Sequence, residues 1–152
     1  MDETTNFREY LKKNGTLTYS NVGTSMMPLL CQGRDLFTVK KKGKKRCKAG
    51  DVVLYVREPD KYVLHRVIRV RKDDYVILGD NCINNEYGIK DKDILGVMTS
   101  YVRKGKSHSV TDTSYRLYTW YIMHTIPVRV FFKKLKGKAK RIVKRFVYGK
   151  KI

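Results

Sequence analysis

The sequence predicts a mainly β fold, a compact coiled sheet or partial barrel, with a short N-terminal helix and a basic helical C-terminal extension. Three observations point to it. Short runs of β-branched and aromatic residues recur between Leu17 and Val102, each bounded by turn residues. Asn14-Gly15 closes a helical pattern ahead of them. Beyond Lys104 the apolar spacing becomes helical and basic residues fill the gaps.

Residues 2–13 fit a short helix, because Phe7, Tyr10 and Leu11 fall on one face. The expected strands are Leu17–Tyr19, Leu36–Val39, Val52–Val56, Tyr62–Val70, Tyr75–Leu78 and Ile94–Val102. Gly33-Arg34-Asp35, Gly50-Asp51, Pro59-Asp60 and Asp73-Asp74 supply the turns. The Asp73-Asp74 turn predicts a hairpin with His65 and Asp80 on paired strands. Gly105–Ser114 is polar and reads as a linker. Leu117, Trp120, Tyr121 and His124 then fall at helical spacing up to an interruption at Pro127. A second helical pattern follows, with Leu135, Ala139, Ile142, Val143 and Phe146 on one face and lysines and arginines on the other. The expected division is therefore a β domain over 1–104, a linker over 105–114 and a basic amphipathic extension over 115–152.

A chain of 152 residues with 41% hydrophobic content supports one core without help from disulfides or metals. The net charge of +20 is concentrated: Lys40–Lys48 holds seven basic residues and Lys133–Ile152 holds ten, neither with an acid. The remainder, 17 basic against 14 acidic, is an ordinary surface. An anionic partner is thus expected for those segments and not for the whole fold. The basic amphipathic pattern suits an anionic membrane surface, and nucleic acid is not the expected partner. An apolar stripe packed on the β domain with solvated lysines is the other reading. The Lys40–Lys48 run reads most simply as a solvated loop.

Cys31, Cys47 and Cys82 form no CxxC pair and read as free thiols of a reducing compartment. No Cys or His cluster has zinc-ligand spacing, so neither metal nor cofactor is expected. Residues Met1–Leu11 carry Asp2, Glu3, Arg8 and Glu9 instead of the apolar run of a signal peptide. The uncharged stretch Leu117–Val128 is shorter than the roughly 20 residues that span a bilayer. The expected location is peripheral to a membrane or cytoplasmic.

The chemistry-bearing pattern starts at Val22-Gly23-Thr24-Ser25-Met26-Met27-Pro28, which sets one serine between a glycine bend and a proline. His65 follows in Leu64-His65-Arg66-Val67-Ile68, and Asp80 in Leu78-Gly79-Asp80-Asn81. Serine is a poor nucleophile unless a base takes its proton, and imidazole titrates near neutral pH. A carboxylate on the other ring nitrogen fixes the tautomer, a role open to Asp80. Gly23 leaves room for substrate backbone, and amides around Ser25 are candidate oxyanion donors. Met26 or Met27 is a candidate pocket residue, with core packing the alternative. Asn81 and Asp51 read as turn residues, and His108 and His124 as non-catalytic.

With Gly50-Asp51-Val52-Val53 added, these boxes stand in the order found in type I signal peptidases and the related self-cleaving SOS-response repressors, which the chain resembles. The likeness runs from Leu17 to Val102 and includes Gly96-Val97, similar to the family's closing strand. Most of that superfamily uses a lysine base. The matching residue here is His65, as in the archaeal and endoplasmic-reticulum branch. The resemblance implies a β catalytic domain of signal-peptidase type, with Ser25 as nucleophile, His65 as base and Asp80 as orienting acid. Glu86, six residues beyond Asp80, matches a second acid of that branch and implies an auxiliary role. The implied substrate is a peptide or preprotein cleaved after small residues at the −1 and −3 positions. Two departures stand out: the family's transmembrane helix ahead of the serine box is not apparent, and no helix-turn-helix of repressor type precedes the domain. The competing classes are a repressor-type peptidase and a non-catalytic basic module on a degenerate peptidase fold.

Overall fold

A computed structural model of the chain describes residues 6–59 and 61–148. Residues 2–5 of the expected first helix, Asp60 of the Pro59-Asp60 turn and residues 149–152 of the extension lie outside them. Helix α1 spans Phe7–Asn14. The Asn6 side chain caps it by accepting from Arg8 N–H at 2.9 Å, and Gly15, at φ 76°, closes it by donating to the Leu11 carbonyl. One face buries Leu11, worth about 2 kcal/mol. Phe7 packs against Tyr19 and Tyr62.

The strands are β1 (Thr16–Ser20), β2 (Leu36–Lys41), β3 (Val52–Arg57), β4 (Lys61–Val70), β5 (Tyr75–Leu78), β6 (Glu86–Ile89), β7 (Ile94–Arg103) and β8 (Lys106–Ser109). All pair antiparallel in one open sheet of order β1-β2-β7-β3-β4-β5-β6, with β8 on β7. Each apolar run expected to be a strand is one. Its ladders carry register shifts at Thr38/Val39, Leu54/Tyr55, Val67/Arg69 and Tyr75/Ile77. Such bulges raise the local twist.

Both faces of the central strand β3 are buried. Val52 and Leu54 join a cluster with Leu11, Leu17, Met26, Leu29, Leu30 and Phe37. Val53 and Tyr55 point the other way, into a cluster with Cys47, Val67, Tyr75, Ile77 and Ile94. The basic Lys40–Lys48 segment is partly folded back rather than simply solvated. Lys42 pairs with Asp91 at 2.8 Å, and Arg46 reaches the Tyr75 hydroxyl and the Arg71 and Lys72 carbonyls.

Two expectations for the C-terminal part are corrected. The segment expected as a linker over 105–114 holds β8 and the start of helix α2 (Thr113–Tyr148). That helix also runs unbroken through Pro127. Proline removes only the donor that would meet the Met123 carbonyl, and flanking side chains add bonds to the carbonyls just before it. His124 Nδ1 donates to the Trp120 carbonyl, Thr125 to Tyr121 and Arg129 to Ile122. Tyr115 and Ile122 are buried against the β domain, whereas beyond Lys133 every described residue of α2 is exposed. Among the described residues, no helix is long and apolar enough to cross a membrane.

Candidate active site

The Ser25 loop is held from three sides. Met26, Leu29 and Leu30 are buried in the first core cluster and anchor it from below. The Asn21 side chain donates to the Gly23 and Leu30 carbonyls, and Gly23 N–H donates to Gln32 Oε1. Gly23 has φ 81°, a conformation that suits glycine. From the far side, Asn81 N–H donates to the Ser25 carbonyl at 2.7 Å, and Asn81 Nδ2 to the Thr24 carbonyl at 3.0 Å. Among the described residues the Ser25 N–H has no internal acceptor.

His65 is buried on β4, and sheet register fixes its neighbours. Val53 pairs with His65, which sets Tyr55, two residues on, on the same face. Ile77 pairs with Val67 on one side and with Glu86 on the other. Glu86, Ile77, Val67 and His65 therefore share one face. At His65 Nδ1, Glu86 Oε1 stands at 3.2 Å and the Tyr55 hydroxyl at 3.3 Å. The opposite edge of the ring meets the serine loop: a Cβ added to Gly79 would lie 3.0 Å from His65 Cδ2 and 2.8 Å from the Ser25 carbonyl oxygen. Gly79 is thus the spacer that brings the imidazole and the serine loop together.

The Asp80 carboxylate lies against Arg66 and Tyr118, whereas the sequence expectation set it on the His65 ring. Arg66 pairs with Leu78, and Asp80 lies two residues beyond Leu78, so it shares the face of Arg66 and not of His65. Its two oxygens accept from Arg66 Nε and Nη2 at 2.8 Å, with both side chains buried. The Tyr118 hydroxyl adds a bond to Asp80 at 2.9 Å, and Arg129 donates to the Asp80 carbonyl at 2.6 Å. Arg66 Nη1 also reaches the Gly50 carbonyl and Thr119. Burial opposes the Arg66 charge, and Asp80 more than offsets it, so the guanidinium stays protonated. This pair fastens α2 to the sheet.

The electrostatics around His65 favour a neutral ring with a free Nε2. Burial lowers its pKa below the ordinary value, and the Glu86 charge offsets part of that. Burial also acts to raise the Glu86 pKa. Hydrogen bonds from Arg57 and Tyr55, with the charge of Arg57, outweigh it, so Glu86 stays ionised. Tyr55 is pushed up by burial first and by Glu86 next, and remains a phenol. A carboxylate beside Nδ1 favours the proton on that nitrogen, which leaves the lone pair on Nε2.

A cleft of about 790 Å³ joins these parts. Gly23, Ser25, His65 and Glu86 line it, and Phe7, Phe37, Leu54 and Tyr62 give it an apolar wall. Met26 does not line it, because that side chain is wholly buried in the core. His108 is stacked on Tyr101 and His124 on Trp120, both away from the cleft. Cys82 lines the cleft as a free thiol. Among the described residues no three His, Cys, Asp or Glu side chains are grouped to hold a metal ion. Sequence reading missed the parts played by Gly79, Asn81, Tyr55 and Arg57, whose signals lie in register and close approach rather than in residue type.

Compared with protein-family models, curated proteins and solved structures, the chain matches none.

Proposed function

We propose that the chain is a serine endopeptidase of signal-peptidase-like class that cleaves an extended peptide or preprotein segment after small residues. The observation that carries the reading is that Ser25, His65 and Glu86 line one cleft, with the Glu86 carboxylate 3.2 Å from His65 Nδ1. In this reading Ser25 Oγ attacks the scissile carbonyl and its proton passes to His65 Nε2. The oxyanion is met by the Ser25 N–H. Collapse breaks the C–N bond, and His65 returns the proton to the leaving amine. Water, deprotonated by His65, then hydrolyses the acyl-enzyme. Glu86 orients the ring and stabilises its charged form, the role that sequence reading gave to Asp80.

The open sheet edge supports an extended substrate. Strand β4 pairs with β3 over Lys61–Arg66 and with β5 only from Arg66 onward, so among the described residues the other edge of Lys61–His65 has no strand partner. Main-chain pairing there leads a peptide directly to His65 and past Ser25. The apolar wall of Leu54, Leu64 and Phe37 suits small uncharged side chains next to the scissile bond.

Incubation of the full chain with a diverse peptide library, read by mass spectrometry, tests the proposal. Cleavage after small residues that is lost in Ser25→Ala is the expected result. Peptides left intact by the unmodified chain, or cut equally by Ser25→Ala, overturn it.

A further inference from the structure

We infer that helix α2 is an in-plane docking surface for an anionic lipid bilayer, independently of the peptidase reading. Leu117, Tyr121, His124, Val128, Phe131, Leu135, Ile142 and Phe146 recur at intervals of three, four or seven residues and define one stripe. The stripe runs about 44 Å along the helix. Its apolar members are exposed: Leu117 64%, Val128 56%, Phe131 61%, Leu135 52%, Ile142 56% and Phe146 73%. A single molecule rarely leaves so long an apolar surface in water without a partner. Trp120, Tyr121, Phe132 and Val143 broaden the stripe and are also more than half exposed.

The face that packs on the β domain is a different one. Tyr115, Ile122, Arg129 and Lys133 lie on the opposite side of the helix from Leu117 and Val128, and all reach the domain or are buried against it. The helix therefore has one face for the domain and another for something else.

Charge selects the occupant. Thr113–Tyr148 contains ten basic residues and no acidic one. By helical spacing Lys134, Lys136, Lys138 and Arg145 flank the stripe, where long cationic side chains reach headgroups while the apolar face enters the acyl boundary. A second copy of the helix would bring like charges together along both flanks of the seam, which opposes a coiled-coil pair. Nucleic acid would satisfy the lysines and leave the aromatic stripe in water. Only an anionic bilayer meets both features.

The consequence is positional. Lys133 donates to the Asn81 carbonyl at 2.6 Å, and Asn81 both lines the cleft and holds the Ser25 carbonyl. A helix lying on the bilayer would sit between the lipid and the domain, with the cleft wall resting on its inner face.

Trp120 is the only tryptophan of the chain and belongs to the stripe, so its emission reports the contact directly. The full chain is titrated with vesicles of phosphatidylcholine mixed with phosphatidylglycerol, and with phosphatidylcholine alone. The expected result is a blue shift and co-sedimentation with the anionic vesicles, weakened by added salt and unchanged in Ser25→Ala. The triple variant Phe131→Ser/Leu135→Ser/Ile142→Ser changes only exposed positions and keeps every charge. It is expected to lose about tenfold or more in partitioning while near-ultraviolet circular dichroism stays the same. No shift with anionic vesicles overturns the inference, as does equal partitioning of the triple variant. A lipid-free dimer that the triple variant abolishes would assign the stripe to a second copy and overturn it too. So would a Trp120 shift produced by an oligonucleotide and not by vesicles.

Discussion

The carboxylate of Glu86 stands 3.2 Å from Nδ1 of His65. The two residues lie on different strands, separated by β5, and meet because the pairings Val67–Ile77 and Ile77–Glu86 keep one face in common. Asp80, nearer in sequence, is committed to Arg66.

This assignment separates the effects of two acid-to-amide substitutions. Glu86→Gln is expected to lower kcat/KM by on the order of a hundredfold, the scale of an impaired acid–base step. Its stability should change by about 1 kcal/mol or less, because the Arg57 partner is well exposed. Asp80→Asn removes the countercharge of a buried guanidinium and should cost about 3–5 kcal/mol. Thermal unfolding beside steady-state kinetics checks both. An Asp80→Asn protein of normal stability but no activity would return the orienting role to Asp80.

The pH profile follows from the protonation state that His65 needs. In the proposed mechanism the base works as neutral imidazole, so the rate is expected to rise with pH through the His65 pKa. Burial holds that pKa below its ordinary value, so the acid limb should fall below about pH 6.5 and the rate be level at neutral pH. The Glu86 charge favours the protonated ring, so Glu86→Gln should shift the limb to lower pH. Measured kcat/KM against pH tests both statements. A limb well above neutral would mark a lysine as the base.

Gly79→Ala probes the close approach of loop and ring. The new Cβ would stand 2.8 Å from the Ser25 carbonyl oxygen, 3.0 Å from His65 Cδ2 and 2.7 Å from Cys82 Sγ. Relief of those contacts must move the serine loop or the imidazole. The substitution should cost about 1–3 kcal/mol of stability. Activity should fall by at least about a hundredfold, as expected when reacting groups separate by an ångström. A calorimetric scan and a peptide-cleavage assay give the two numbers, and full activity in the variant would remove Gly79 from the site.

The strands were legible because runs such as Val52–Val56 and Tyr75–Leu78 are apolar, mostly β-branched or aromatic, and carry no charge. Strands β6, Glu-Tyr-Gly-Ile, and β8, Lys-Ser-His-Ser, were not legible, since polar edge segments form through pairing rather than propensity. Ser25 and His65 stood out as candidates from their local boxes, and the structure sets both on one cleft. The acid was not, because which carboxylate meets Nδ1 depends on the parity of two strand pairings and on where the bulges fall. Arg66 shows the same limit: nothing local says that it is buried and claims Asp80. The unbroken α2 was hidden because Pro127 reads as a stop, although within a helix it removes a single backbone donor.

The central claim is that His65 activates Ser25 as a nucleophile. Intact-mass measurement after treating the full chain with a serine-directed acylating probe tests it most directly. The account predicts one adduct, mapped to Ser25, absent in Ser25→Ala and strongly reduced in His65→Ala, with both variants folded. An adduct on another residue, or one formed on Ser25 at an undiminished rate in His65→Ala, would contradict it.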